Sequence, residues 1–195
     1  MNNKNFTSGV SDATVFKAEL ARIKHRQKYK RVLKSTVFTL IVVAAVAVLV
    51  ATLWMPVLQI YGTSMTPSLH DGDIIISVKD TEPETGDIIA FYYNNKILVK
   101  RVIAGPGEWI DIDGEGNVFV NSVPISEPYL SEKALGECNI EFPYQVPEAK
   151  YFVLGDHRSV STDSRNTAVG CVSEEQMVGR IVFRVWPLSA FGKAD

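Results

Sequence analysis

Thr36-Val37-Phe38-Thr39-Leu40-Ile41-Val42-Val43-Ala44-Ala45-Val46-Ala47-Val48-Leu49-Val50-Ala51-Thr52-Leu53-Trp54-Met55 runs for 20 residues without a charged side chain. At about 1.5 Å per residue, a helix of this length spans roughly 30 Å, the thickness of a bilayer's hydrocarbon core. The run is apolar on every face and not along one stripe, which argues against a helix buried in a soluble core. A cleavable leader would carry a shorter apolar region and a shorter basic approach. Pro56 cannot continue the helix. The stretch therefore reads as a transmembrane helix over residues 35–55, which divides the chain into residues 1–34 and 56–195.

The two sides differ in charge. Residues 1–34 carry nine Lys/Arg against Asp12 and Glu19, within a chain whose formal net charge is −2. Basic residues beside an apolar span are retained on the cytoplasmic side and are attracted to anionic lipid. This predicts a cytoplasmic N-terminus, an extracytoplasmic domain over 56–195, and membrane lipid as a partner. Trp54 suits the outer interface. The charge balance argues against nucleic acid as a partner. Residues 1–14 read as disordered, and residues 15–34 as a basic amphipathic helix with Val15, Phe16, Leu20 and Ile23 at helical spacing.

Beyond Pro56 the texture becomes β. Short apolar runs at Ile74–Val78, Ile88–Tyr93, Ile97–Ile103, Trp109–Ile112, Val118–Val120, Tyr151–Leu154 and Ile181–Val185 are separated by Gly, Asp, Asn and Pro. Asn94-Asn95 and Asp113-Gly114 are hairpin signals. The pattern predicts a mainly β, antiparallel domain, with a small accessory lobe over roughly 113–150 where prolines accumulate. Only Ser173–Val178 looks helical, with Ser173 as N-cap and Gln176 three residues on. Cys138 and Cys171 could pair in an oxidising compartment, but two cysteines fix nothing without geometry. His25, His70 and His157 are isolated and there is no Cys-x-x-Cys, so no metal site is expected.

Ser64 follows the apolar span closely, and a serine hydroxyl needs a base to become a nucleophile. No histidine stands in a suggestive context. Lys100 lies between Ile97-Leu98-Val99 and Val102-Ile103, the setting in which burial lowers a lysine pKa towards neutrality. By pattern alone a solvent-facing strand lysine remains the alternative.

Gly62-Thr63-Ser64-Met65-Thr66-Pro67-Ser68-Leu69 with Gly72-Asp73 resembles the nucleophile box of bacterial type I signal peptidases. Gly86-Asp87-Ile88-Ile89-Ala90-Phe91 resembles their next box. Val99-Lys100-Arg101-Val102-Ile103 with Gly105-Pro106-Gly107 resembles the lysine box, and Gly155-Asp156-His157-Arg158 with Ser161, Asp163, Ser164 and Arg165 resembles the last. The ordered set covers roughly residues 36–186.

The resemblance implies a membrane-anchored serine endopeptidase that removes signal peptides from preproteins at small-x-small sites through an acyl-enzyme. It implies Ser64 as nucleophile and Lys100 as general base. Ser161 would hydrogen-bond and orient the Lys100 amine, and Asp163 and Arg165 would form a bracing ion pair. Asp156 and Arg158 would hold the turn that presents Ser161. No cofactor is implied. An extended peptide would add to the edges around Gln59, Ile60 and Tyr61 and around Ile97, Leu98 and Val99, with Ile60 and Met65 lining pockets for small side chains. The Ser64 N–H would be the first oxyanion donor. Gly62 stands where some members place a serine hydroxyl, leaving the second donor unassigned, and could serve close approach of the substrate backbone. His157 replaces the asparagine more often found there. Alternatives are a specialised relative that processes pilin or sortase-pathway substrates, and a catalytically inactive scaffold of the same fold.

Overall fold

The computed structural model describes residues 8–79 and 82–194. These fall into two compact units that divide between Val50 and Ala51. A single helix, α1 (Ser8–Trp54), dominates the first. It starts at Ser8, so the expected disorder over residues 1–14 does not hold from Ser8 onward. Extending an existing helix adds one hydrogen bond per residue without a new nucleation cost. Residues 1–7, and the side chains of Val15 and Phe16, lie outside the described residues. The stretch Arg22–Trp54 is 33 residues long and apolar enough to cross a membrane. Its Val, Ile and Leu side chains are exposed, with Leu40 at 63% and Val48 at 63%. So large a bare apolar surface is unstable in water and suits hydrocarbon. The helix stops at Trp54, just ahead of Met55-Pro56.

The second unit is built from short antiparallel strands. They are β1 (Val57–Gln59), β2 (Ile74–Val78), β3 (Ile88–Tyr93), β4 (Lys96–Ala104), β5 (Trp109–Ile112), β6 (Val118–Val120), β7 (Val123–Pro124), β8 (Tyr144–Gln145), β9 (Lys150–Leu154), β10 (Val172–Ser173), β11 (Met177–Trp186) and β12 (Gly192–Lys193). All seven strands read from the sequence are present. Those it missed have three residues or fewer, too few to show an alternating pattern. Ser173–Val178 is not a helix: Glu174–Gln176 form one 3-10 turn, and β11 begins at Met177. The capping signal is nevertheless used, since Gln176 Oε1 accepts from the Ser173 N–H at 2.9 Å. The β-rich sequence after Gln176 then takes over.

The larger sheet has the order β1-β2-β11-β3-β4-β9-β10, with β12 also on β11. The smaller sheet runs β7-β6-β5-β8 and so starts at Trp109, upstream of the lobe expected from residue 113. Asn94-Asn95 closes the β3–β4 hairpin, with Tyr93 opposite Lys96 and Asn94 in the left-handed region at φ 51°. β11 pairs with both β2 and β3, and its register shifts at Ile181/Phe183 and Arg184/Trp186. Such bulges bend a strand and sharpen its twist. β1 pairs only with β2, and Lys96–Val99 only with β3. Two strand edges are thus left open, and they matter below.

Where the sheets meet, Phe152 of β9 packs with Ile110, Ile112 and Val118 of the smaller sheet. Its ring is edge-on to Phe142 at 6.5 Å and tilted against Tyr144 at 6.0 Å. It is completely buried. Phe152→Ala should cost about 3–5 kcal/mol, the range for truncating a buried aromatic. Denaturant unfolding of the detergent-solubilised chain measures this. A loss below about 1 kcal/mol would mean that the ring does not join the sheets.

Candidate active site

Ser64 sits in a tight turn just beyond β1. Ile60 N–H donates to Asp73 O at 2.8 Å and Gly72 N–H returns to Ile60 O at 2.9 Å, so the chain leaves β1 still tied to its neighbour. Gly62 then adopts φ +88°, where a side chain would strain the backbone. Its N–H donates to Asp71 Oδ1 at 2.6 Å. Gly62 therefore serves the turn; its N–H is engaged, and a serine in its place would be strained. Past Ser64, the buried Met65 and Leu69 pin the loop into the core. The Ser64 N–H donates to no protein acceptor among the described residues.

Lys100 approaches from β4, opposite Ile89 of β3, and is 3% exposed. Its Nζ lies 2.7 Å from Ser64 Oγ. Burial lowers the amine from 10.5 to about 8; Asp163 and Asp156 pull it up and Arg165 pulls it down, with smaller effect. The neutral amine carries a lone pair that can accept the hydroxyl proton at this distance, which turns Ser64 Oγ into a nucleophile.

Charged pairs back the dyad. Arg165 donates through Nε to Asp163 Oδ1 at 2.8 Å and through Nη2 to Asp163 Oδ2 at 2.8 Å, both residues being fully buried. Asp163 Oδ2 also accepts the Gly155 N–H at 2.9 Å, and Arg165 Nη2 donates to Arg158 O at 2.9 Å. Asp156 is held in a two-pronged pair by Arg101, at 2.9 and 2.8 Å, and accepts the Ser68 hydroxyl at 2.5 Å. Arg158 pairs with Glu127 and donates through Nε to Gly155 O at 3.1 Å.

Gly155 is required for close approach. A Cβ there would lie 2.2 Å from Ser161 Oγ and 2.6 Å from Ser64 O. Ser161 thus reaches the site, but not as the resemblance implied. Its hydroxyl is buried, makes no hydrogen bond, and does not engage Lys100.

Gln59, Ile60, Tyr61, Gly62, Met65, Ile97, Leu98 and Val99 all line one groove of about 970 Å³, together with Ser64 and Lys100. The groove collects residues of both open edges, those of β1 and of Lys96–Val99. The expected dyad and substrate-edge residues thus share one groove, while Ser161, Asp163 and Arg165 lie outside its lining. The sequence reading missed Arg101, Glu127 and Tyr129. Tyr129 donates to Glu127 Oε1 at 3.0 Å, and Arg101 stacks 3.9 Å above its ring. Arg101 had a signal, a charge inside an apolar strand. Glu127, in a proline-rich loop, had none.

The model for the family described as signal peptidase, peptidase S26, matches residues 31–186. A signal peptidase I from Bacillus licheniformis is 36% identical over 169 residues, 80% of this chain and 90% of that protein. Signal peptidase IB from Staphylococcus aureus is 37% identical over 153 residues, 68% of this chain and 78% of the relative. A crystal structure of a signal peptidase I from Enterococcus faecalis is 31% identical and covers 51% of this chain and 97% of its own, with a TM-score of 0.42. With the family model spanning most of its length and such relatives beside it, this chain belongs to the signal peptidase family, peptidase S26.

Proposed function

We propose that this chain is a membrane-anchored serine endopeptidase that removes signal peptides from exported preproteins, with Ser64 as nucleophile and Lys100 as general base. The observation that carries the assignment is the 2.7 Å approach of the Lys100 amine to Ser64 Oγ, at a buried site where the amine titrates near 8. In the first step neutral Lys100 takes the Ser64 proton while Oγ bonds to the scissile carbonyl carbon. Collapse breaks the C–N bond, and the proton passes from Lys100 to the leaving amine. A water, deprotonated by Lys100, then cleaves the ester and restores Ser64. The Ser64 N–H faces the developing oxyanion. Asp163 and Arg165 brace the loop that carries Ser161 and Gly155.

The substrate lies as an added strand between the edges of β1 and Lys96–Val99, a mode that uses main-chain hydrogen bonds for affinity and pockets for selection. Ile60 and Met65 line the groove, and in this reading they restrict its pockets to small side chains, the basis of small-x-small selection. The single apolar helix and the kinship with signal peptidase I are consistent with a single-pass membrane protein. The basic flank supports residues 1–34 in the cytoplasm, residues 35–55 in the membrane and residues 56–195 outside.

Ser64→Ala and Lys100→Ala should each lower preprotein cleavage by at least about a thousandfold, the scale for losing a nucleophile or its base. Gel-based processing of a labelled preprotein reads this, and a Lys100→Ala enzyme near full rate would remove the base assignment.

The pH profile has a definite sign. A base is active when unprotonated, so kcat/KM should climb about tenfold per unit below pH 8 and level off above it. A profile flat from pH 6 to 9, with chemistry rate-limiting, would contradict this.

Protease added outside intact cells should degrade residues 56–195 and spare an epitope placed within residues 1–34. The opposite pattern would invert the topology.

A further inference from the structure

Two peptide groups flank Ser64, and His157 holds both. Its backbone N–H donates to Ser64 O at 3.0 Å. Its ring Nδ1 lies 3.3 Å from Thr63 O and 3.1 Å from Thr66 Oγ1. Thr66 also donates to Thr63 O through its N–H at 3.1 Å and its hydroxyl at 2.8 Å.

The proton positions follow from which atoms can donate. Thr63 O only accepts, and the Thr66 hydroxyl, a rotor that can donate or accept, lies 2.8 Å from it. When that hydroxyl donates to Thr63 O, Thr66 Oγ1 faces the ring as an acceptor. A bare Nδ1 could accept from the Thr66 hydroxyl but would oppose Thr63 O, whereas an Nδ1–H can donate to both oxygens. The contact with Thr63 O therefore favours the Nδ1-protonated ring. Thr63 O then receives three donors: the Thr66 N–H, the Thr66 hydroxyl and the His157 Nδ1–H.

Thr63 O belongs to the same peptide group as the Ser64 N–H. Because that group is planar and trans, anchoring the oxygen fixes the direction of the N–H opposite it. Donation to the carbonyl also polarises the amide and strengthens the N–H as a donor. We infer that His157, as its Nδ1–H tautomer, is a positioning residue that aims and polarises the Ser64 N–H as the oxyanion donor. The inference rests on the function proposed above, in which Ser64 is the nucleophile. It also bears on the absence of a hydroxyl at Gly62, since a site with fewer donors depends more on the one it has.

Side chains that differ only in their hydrogen-bonding atoms test it. Asn at 157 places an N–H where Nδ1–H stands, and Asp places an acceptor there. His157→Asn should keep kcat within about threefold. His157→Asp should lower kcat by at least about tenfold, towards the 10²–10³ lost when an oxyanion donor is removed outright, with KM little changed. Affinity for a peptide aldehyde, which forms the tetrahedral adduct at Ser64, should fall by the same factor as kcat/KM. Affinity for the matching peptide alcohol should not change.

If His157→Asp does not fold, Thr66→Val and Thr66→Ser replace it. Val removes a donor to Thr63 O and should lower kcat, while Ser should restore it. Nitrogen-15 spectra of the histidine-labelled full chain should show a protonated Nδ1 at His157. A bare Nδ1, or a His157→Asp enzyme as fast as His157→Asn, would overturn the inference. Either result leaves the Ser64–Lys100 assignment standing, because that is tested separately by cleavage with Ser64→Ala and Lys100→Ala.

Discussion

An amine held out of water beside a serine is the constraint on which the rest of the site depends. Burying an ammonium is costly, and the usual relief is a carboxylate partner, which would hold the proton on and destroy the base. Lys100 avoids that capture. The three buried carboxylates behind it, Asp156, Glu127 and Asp163, are each paired with an arginine, Arg101, Arg158 and Arg165 respectively. Three cations meet three anions, so none of these three carboxylates is left unpaired to claim the lysine. Desolvation then sets the titration, and Asp163 acts on Lys100 only against the opposing pull of Arg165. Removing one arginine would do more than loosen the fold. It would leave a buried negative charge free to raise the lysine.

The same paired charges solve a steric problem. The nucleophile turn and the Gly155–Ser161 loop come from distant parts of the chain and must touch. Backbone meets backbone there: His157 N–H reaches Ser64 O, and the missing Cβ of Gly155 leaves room for both Ser64 O and the Ser161 side chain. Contacts this close give no tolerance for loop movement, and loops are ordinarily the mobile part of a domain. Two-pronged arginine bonds to Asp163 and Asp156, with Arg165 donating to the carbonyls of Ala134, Leu135 and Arg158 as well, hold these loops fixed. The charges lie in the site's foundations, not at its surface.

Much of this was legible in the sequence, for identifiable reasons. Strands such as Ile74–Val78 and Ile88–Tyr93 show as apolar runs bounded by turn residues, because most of their residues are buried or half-buried. Ser64, Lys100, Asp163 and Arg165 stand out because they lie in short motifs with fixed order. Pairings across long distances were not legible. Nothing near Glu127 indicates that Arg158 will meet it, and Ser173-Glu174-Glu175-Gln176 carries a helix cap in a place where the following β sequence allows one turn. Ser161 shows a further limit. The resemblance implied a hydrogen bond from Ser161 to Lys100, but its hydroxyl stands unbonded, since the direction of a side chain depends on packing that no local pattern encodes.

An exposed strand edge is a hazard, because it can pair with any other chain. The larger sheet keeps two such edges facing one groove, at β1 and at Lys96–Val99, although its bulged β11 shows that the fold can bend strands elsewhere. Neither edge carries a proline, and between them they hold one charge, Lys96. The devices that normally protect an edge are largely absent from both. Under the proposed function this absence is required, since the substrate is the strand that fills the gap. Main-chain pairing recognises any extended peptide, so the edges alone would bind without choosing. Under that function, choice has to come from side chains lining the groove, among them Ile60 and Met65. Position has to come from the dyad at its end. A site built this way accepts many sequences that share one short feature, which is the problem posed by leader peptides that are alike only near the bond to be cut.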